Sequence, residues 1–247
     1  AVAGCEGVFH LAASLGDDLD QARRLNVAGT ETILVAAREA GVRRFVHTSS
    51  AAAIVDPTGL VGEDADGPTA LTDPYSVTKS EAERLVLAFS GIETVAVNPV
   101  SIYGPSPTGP SGYNGLFAAA ATGEVDEVVD AQVGWVLAED VALGHLLAYQ
   151  RGAPGRRYVL CGEVAGFGTV LHRYAELVGS PHRVRLLPPG SSLGPGAPTF
   201  ASRSEVYGKL GPVRVRDAGA RALGFAPSGL ADGLARTARW MAGQGSM

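Results

Sequence analysis

Arg44-Phe45-Val46-His47-Thr48-Ser49-Ser50 runs from a β-favouring apolar stretch into a cluster of three hydroxyls. The stretch reads as a buried strand, and in open parallel sheets the carboxyl ends of strands border the ligand crevice. A hydroxyl at that edge can donate to a carbonyl oxygen and polarise it. Ser-Ser at a strand end also serves as a helix cap or turn, so the hydroxyls alone do not define a site. Twenty-five residues after Ser50 comes Tyr75-Ser76-Val77-Thr78-Lys79, at the start of a helical segment. Residues i and i+4 share a helix face, so the ammonium sits beside the phenol. A neighbouring cation favours the phenolate, which would let Tyr75 act as an acid or base near neutrality. Only Lys79 and Lys209 are lysines, the other basic residues being Arg, so a lysine at this spacing is informative.

Outward from these segments, apolar runs alternate with helix-period runs, the pattern of parallel strands joined by crossover helices. We expect a strand over 7–11, then a helix over 17–40 that stops at Gly41 and packs through Asn26, Gly29, Ile33, Ala36 and Ala40. After the Arg44–Thr48 strand, a helix over 75–89 and a strand over 94–102 are expected. Residues 103–115 hold three prolines and four glycines and read as a loop. Next come a short helix over 116–122, strand 133–137, helix 140–149 and strand 157–161. The tail reads as helix 167–178, strand 183–187, a Pro/Gly/Ser stretch over 188–198 and a final helix over 230–241. The fold class is α/β: a doubly wound, Rossmann-like parallel sheet in 1–161, with the loop 103–125 contributing to a small substrate lobe formed by 162–247.

Composition narrows the function classes. The chain has 247 residues and a net charge of −5 with no basic block, which argues against nucleic acid as a partner. Hydrophobic residues make up 46%, yet no run approaches the roughly 20 apolar residues of a membrane span. The start of the chain, with Glu6 and His10 and no basic leader, does not read as a signal peptide, and the cytoplasm is the expected compartment. Cys5 and Cys161 cannot build a disulfide framework or a zinc site, and the histidines lack ligand spacing, so no metal is expected. His10 and His47, on buried strands, read as core or cofactor-side groups, and Asp140 as a helix-start acid.

Taken in order, several segments resemble the extended short-chain dehydrogenase/reductases, the NAD-dependent epimerase/dehydratase group. They are Val8-Phe9-His10-Leu11-Ala12-Ala13, Asn26-Val27-Ala28-Gly29-Thr30, the Arg44–Ser50 and Tyr75–Lys79 segments, Ile102-Tyr103-Gly104-Pro105, Glu139-Asp140-Val141-Ala142 and Leu223-Gly224-Phe225. The resemblance implies an NAD(P)-dependent hydride-transfer site acting on a carbonyl or secondary alcohol of a small molecule. Tyr75 would be the general acid/base, Lys79 would bind the nicotinamide ribose and tune Tyr75, and Ser50, rather than Ser49, would hold the substrate oxygen. Ala12 and Ala13 would lie along the cofactor, Asn26 would brace the active-site helices beside it, and Pro99 and Val100 would flank the nicotinamide. A homodimer stays open as the assembly.

The family pattern begins with a Gly-rich turn and about two βα units ahead of the His10 strand. That leads us to expect an N-terminally incomplete chain with an exposed edge strand and doubtful cofactor binding on its own. In that pattern the residue that selects NAD or NADP lies on the second strand, so the resemblance implies NAD(P) as the cofactor. A Thr-Gly-x-x-Gly-x-x-Gly pattern at Thr108, Gly109, Gly112 and Gly115 lies among prolines and past its strand, and reads as a loop rather than a phosphate cradle. Within the same fold the alternative is a nucleotide-sugar epimerase or dehydratase. Asn98, where such enzymes commonly carry Arg, and Ser101, where they often carry Asn, favour the reductase branch. A cofactor-free binding or regulatory module is the third reading.

Overall fold

The computed structural model describes residues 2–244. Strands Gly7–His10, Arg44–Thr48, Glu93–Pro99 and Arg156–Leu160 form a parallel sheet in that spatial order. Its register places His10 beside His47, Thr48 beside Val97 and Pro99 beside Leu160. The carboxyl ends of the strands therefore share one edge, and Ala12, Ser50 and Val100 come directly beyond it. The Gly7–His10 strand borders the sheet on one side, with Phe9 and Leu11 exposed.

The interior strands are buried on both faces, as parallel sheets require. Phe45, Val46, Val95, Ala96 and Val97 are fully buried, and Phe45 packs in a cluster with Leu34, Ala37, Val42 and Val86. The helix that supplies Leu34 and Ala37 ends as the sequence predicts. Gly41 takes a positive φ of 71°, its N–H donates to Arg38, and the Val42 N–H donates to Ala37. This is a Schellman stop, in which the chain turns through a left-handed residue and satisfies two otherwise orphaned carbonyls.

The packed face of that helical run differs from the expected one. Between Leu19–Ala22 and Gly29–Glu39 the chain makes a wide π turn over Arg23–Ala28, in which the Gly29 N–H reaches back to Arg24. The wide turn accommodates an extra residue and rotates the Gly29–Glu39 helix about its axis. The buried series becomes Asn26, Thr30, Leu34 and Ala37, while Ile33 is exposed.

The strand expected over 94–102 is two strands. Glu93–Pro99 belongs to the four-stranded sheet, whereas Ser101–Tyr103 pairs parallel with Gln132–Leu137, which pairs antiparallel with Glu163–Gly166. Pro99 has no N–H to offer a ladder, and the Val100 N–H turns to Leu160. The break also divides the molecule. One compact unit comprises Ala1–Val100, Ala142–Leu160 and Val215–Ala226, and the other Ser101–Val141, Cys161–Arg214 and Pro227–Met247. Sequence alone places the change of lobe after Cys161 with the loop 103–125 contributing to the second lobe; in the structure the units alternate along the chain. The second unit has its own aromatic core of Tyr103, Tyr113, Phe117, Trp135, Phe167 and Tyr174. There Gly109 and Gly112 take positive φ in the loop before the Tyr113–Thr122 helix, and the preceding strand ends at Tyr103. The glycine pattern is therefore not a strand-to-helix phosphate turn.

Candidate active site

Residues from three sheet strands and one long helix meet at the carboxyl edge of the first unit. The Pro74–Ala88 helix starts with Asp73, whose carboxylate accepts from the Ser76 N–H at 3.1 Å, and with Pro74, whose fixed φ suits the first turn. Tyr75 and Lys79 fall one turn apart on it. The helix packs on the short turn Ala51–Ala53 that comes after Ser50, and so carries Tyr75 and Lys79 to the serine end of the Arg44–Thr48 strand.

Lys79 is 2% exposed and donates to the Thr48 carbonyl at 2.6 Å. Burial pushes its ammonium down to about pKa 8, against the opposing pull of Glu83. Of its three N–H bonds only this one meets a protein acceptor among the described residues. Thr48 also binds through its hydroxyl to His145 Nε2 at 2.7 Å, so the residue that holds Lys79 is itself held.

The two serines differ in access. Ser49 is buried, whereas Ser50 and Tyr75 are half-buried. Ser50 Oγ accepts from the Ala52 N–H at 3.1 Å and donates to no group among the described residues, leaving its proton for a ligand oxygen. Its carbonyl accepts from Asn98 Nδ2 at 3.0 Å.

Of the residues expected along the cofactor, Ala12 and Ala13 lie exposed just past the first strand, Pro99 is buried at the end of its strand, and Val100 is half-buried. Asn26 is 1% exposed, and its amide is engaged by protein. Its Nδ2 donates to the Ser14 carbonyl at 3.0 Å and to Thr78 Oγ1 at 2.9 Å, while its Oδ1 accepts from the Ser14 N–H at 2.6 Å. It ties the loop after the first strand to the helix that carries Tyr75 and Lys79. Asn26→Ala should cost about 1–3 kcal/mol, the loss expected on orphaning buried polar groups. Chemical denaturation checks this, and a change under about 0.5 kcal/mol would contradict the brace.

The histidines fit a core role. The rings of His10 and His47 lie 5.7 Å apart, and His10 bonds Thr30 Oγ1 at 3.0 Å. Burial first, then Lys79 and His10, holds His47 well below the ordinary histidine range, so it stays neutral. No cluster of metal-ligating side chains occurs among the described residues.

Sequence alone assigns no role to Glu83 or Arg157. Glu83 lies four residues beyond Lys79 and is 1% exposed; it binds Asn98 Nδ2 at 2.6 Å and Arg157 Nε at 2.6 Å. A charged residue continuing the spacing of a buried lysine is the available signal. Its partner on another strand has none.

A parallel sheet with a strand-end serine and a Tyr-x-x-x-Lys helix whose lysine is buried defines a class: an α/β protein of the short-chain dehydrogenase/reductase type. Comparison with known proteins makes this specific. Residues 1–161 match the NAD dependent epimerase/dehydratase family, and the chain belongs to it. It is 35% identical over 196 residues to the Sterol demethylase protein B of Methylococcus capsulatus, covering 76% of this chain and 60% of that protein. It is 32% identical over 194 residues to a Putative dihydroflavonol 4-reductase of Synechocystis, covering 72% of this chain and 55% of that one. The chain thus spans less than two thirds of the length of either relative. Among solved structures it resembles MoeE5 in complex with UDP-glucuronic acid and NAD, with a TM-score of 0.79 and 27% identity over 98% of this chain and 81% of that one. No helix among the described residues is long and apolar enough to cross a membrane.

Proposed function

We propose that this chain carries the catalytic residues of an NAD(P)-dependent oxidoreductase that acts on a carbonyl or secondary alcohol of a small molecule, in the cytoplasm. The observation that carries this reading is the ammonium of Lys79, locked on the Thr48 carbonyl at 2.6 Å, one helical turn from Tyr75, with a serine hydroxyl that has a proton to give at the end of the same strand.

The donor set fits a nicotinamide nucleotide. Two N–H bonds of Lys79 lack protein acceptors among the described residues and suit the vicinal hydroxyls of a ribose. Ala12, Ala13, Pro99 and Val100 lie at the strand ends that would border it. When bound in its reduced form, the cofactor supplies a hydride to the carbonyl carbon. Ser50 donates to the carbonyl oxygen and polarises it. Tyr75 gives its proton to that oxygen as negative charge develops there. Lys79, charged below its pKa of about 8, stabilises the phenolate left behind. In the reverse direction the phenolate takes the alcohol proton.

The dihydroflavonol reductase relative favours reduction, as does Asn98 in place of the Arg common in nucleotide-sugar enzymes. The likeness to MoeE5 keeps sugar-nucleotide chemistry as the second reading. The test uses the full-length protein that carries this chain, NADH or NADPH, and a panel of β-keto esters and aryl aldehydes. Loss of nicotinamide absorbance with matching alcohol formation is the expected result. Silence across that panel, together with conversion of a UDP-hexose, would replace the first reading with the second.

A further inference from the structure

Asn98 is 0% exposed in the middle of the parallel sheet, a position where a polar side chain needs a reason. Its Nδ2 lies 3.0 Å from the Ser50 carbonyl and 2.6 Å from Glu83 Oε2. Both neighbours only accept, so the amide nitrogen must face them and each takes one of its two hydrogens. The cost of this orientation is visible: Asn98 Oδ1 is buried without a hydrogen-bond partner among the described residues. Glu83 Oε1 lies 2.6 Å from Arg157 Nε in an ion pair outside hydrogen-bonding geometry, and the Arg157 guanidinium also donates to the Ala65 carbonyl. The Ser50 carbonyl is therefore tied to the Pro74–Ala88 helix through one amide and one carboxylate.

We infer that Asn98 is a positioning residue: with Glu83 and Arg157 behind it, it holds the Ser50 backbone so that the serine hydroxyl meets the substrate oxygen. The inference rests on the oxidoreductase reading and deepens it. A strand end is a poor anchor for a side chain that must keep one direction, because Ser50 lies beyond the last ladder pair, Thr48 with Val97. The Ala52 N–H steadies Oγ from one side. Asn98 steadies the peptide from the other. Arg157, from the neighbouring strand, brings a guanidinium to Glu83 from the far side.

The test is a double-mutant cycle in the full-length protein, using the β-keto ester or aryl aldehyde it reduces fastest. Asn98→Ala should lower kcat roughly ten- to a hundredfold, the scale of loss when a catalytic group is misplaced by about 1 Å, with cofactor Kd unchanged. In a Ser50→Ala background the same substitution should change kcat by less than about twofold. Amide hydrogen exchange should quicken across residues 50–53 in the Asn98 variant. Asn98→Thr, which suits a strand and offers one hydroxyl donor for two acceptors, is the second variant if the alanine form does not fold. An equal loss with and without Ser50 overturns the positioning role while leaving the oxidoreductase reading intact. No effect of Ser50→Ala by itself takes down both.

Discussion

Tyr75→Phe should lower kcat about 10²-fold or more in the full-length protein, while its cofactor affinity should stay within about twofold. The split reflects which atoms do what. The phenolic O–H is the only group that Phe lacks, and in the proposed reaction it delivers the proton to the substrate oxygen. In the proposed site the ribose contact falls to Lys79, whose bond to the Thr48 carbonyl does not involve the Tyr75 side chain. The pH profile gives an independent check. Burial lowers the Lys79 pKa to about 8, so its charge is present below that pH and lost above it. The wild-type kcat/KM should therefore fall on the alkaline side as pH rises through about 8. A Phe variant as active as the wild type would make Tyr75 a structural residue and end the proton-transfer mechanism.

The elements of this site that sequence reveals are those with local spacing. Tyr75 and Lys79 are separated by one helical turn, and the Arg44–Thr48 strand announces itself by burying both faces before a hydroxyl cluster. The Gly41 stop is equally local, because only a glycine enters the left-handed region there without strain. The π turn at Arg23–Ala28 is different. Nothing in Arg-Arg-Leu-Asn-Val-Ala signals a widened turn, and a regular 3.6-residue period puts Ile33 inward when it is outside. Tertiary demand decides it, since Asn26 must reach both Ser14 and Thr78.

Contacts between residues distant in sequence are illegible for the same reason. Glu83 and Arg157 are 74 positions apart. Periodicity places each on its own element but says nothing about their meeting. Asn98 stands out in the sequence as a departure at one position, yet its meaning needs the geometry: two acceptors at 2.6 and 3.0 Å around one nitrogen. The helix at Thr199–Gly208 is invisible after a Pro/Gly/Ser stretch because its buried residues, Ala201, Ser204 and Gly208, are small and give no hydrophobic stripe.

Glu83→Ala should destabilise the first unit by about 3–5 kcal/mol, the range for removing one partner of a buried ion pair. The Glu83 side chain is 1% exposed and that of Arg157 11%, so the orphaned guanidinium has little water to turn to. One N–H of Asn98 loses its acceptor in the same step. For a chain of this size the loss corresponds to roughly 10 °C in Tm. The cause can be separated from simple cavity formation. Replacing both partners, Glu83→Met with Arg157→Met, removes the unpaired charge and fills the space with apolar volume, an exchange that is often neutral or better for a buried pair. The double variant should therefore recover most of the stability. A residual cost of about 1–2 kcal/mol should remain from the unsatisfied Asn98 donor. Denaturant titrations of the two variants decide the matter: if the double substitution is as damaging as Glu83→Ala, the loss is one of packing, and the ion pair is not what holds Asn98 against Ser50.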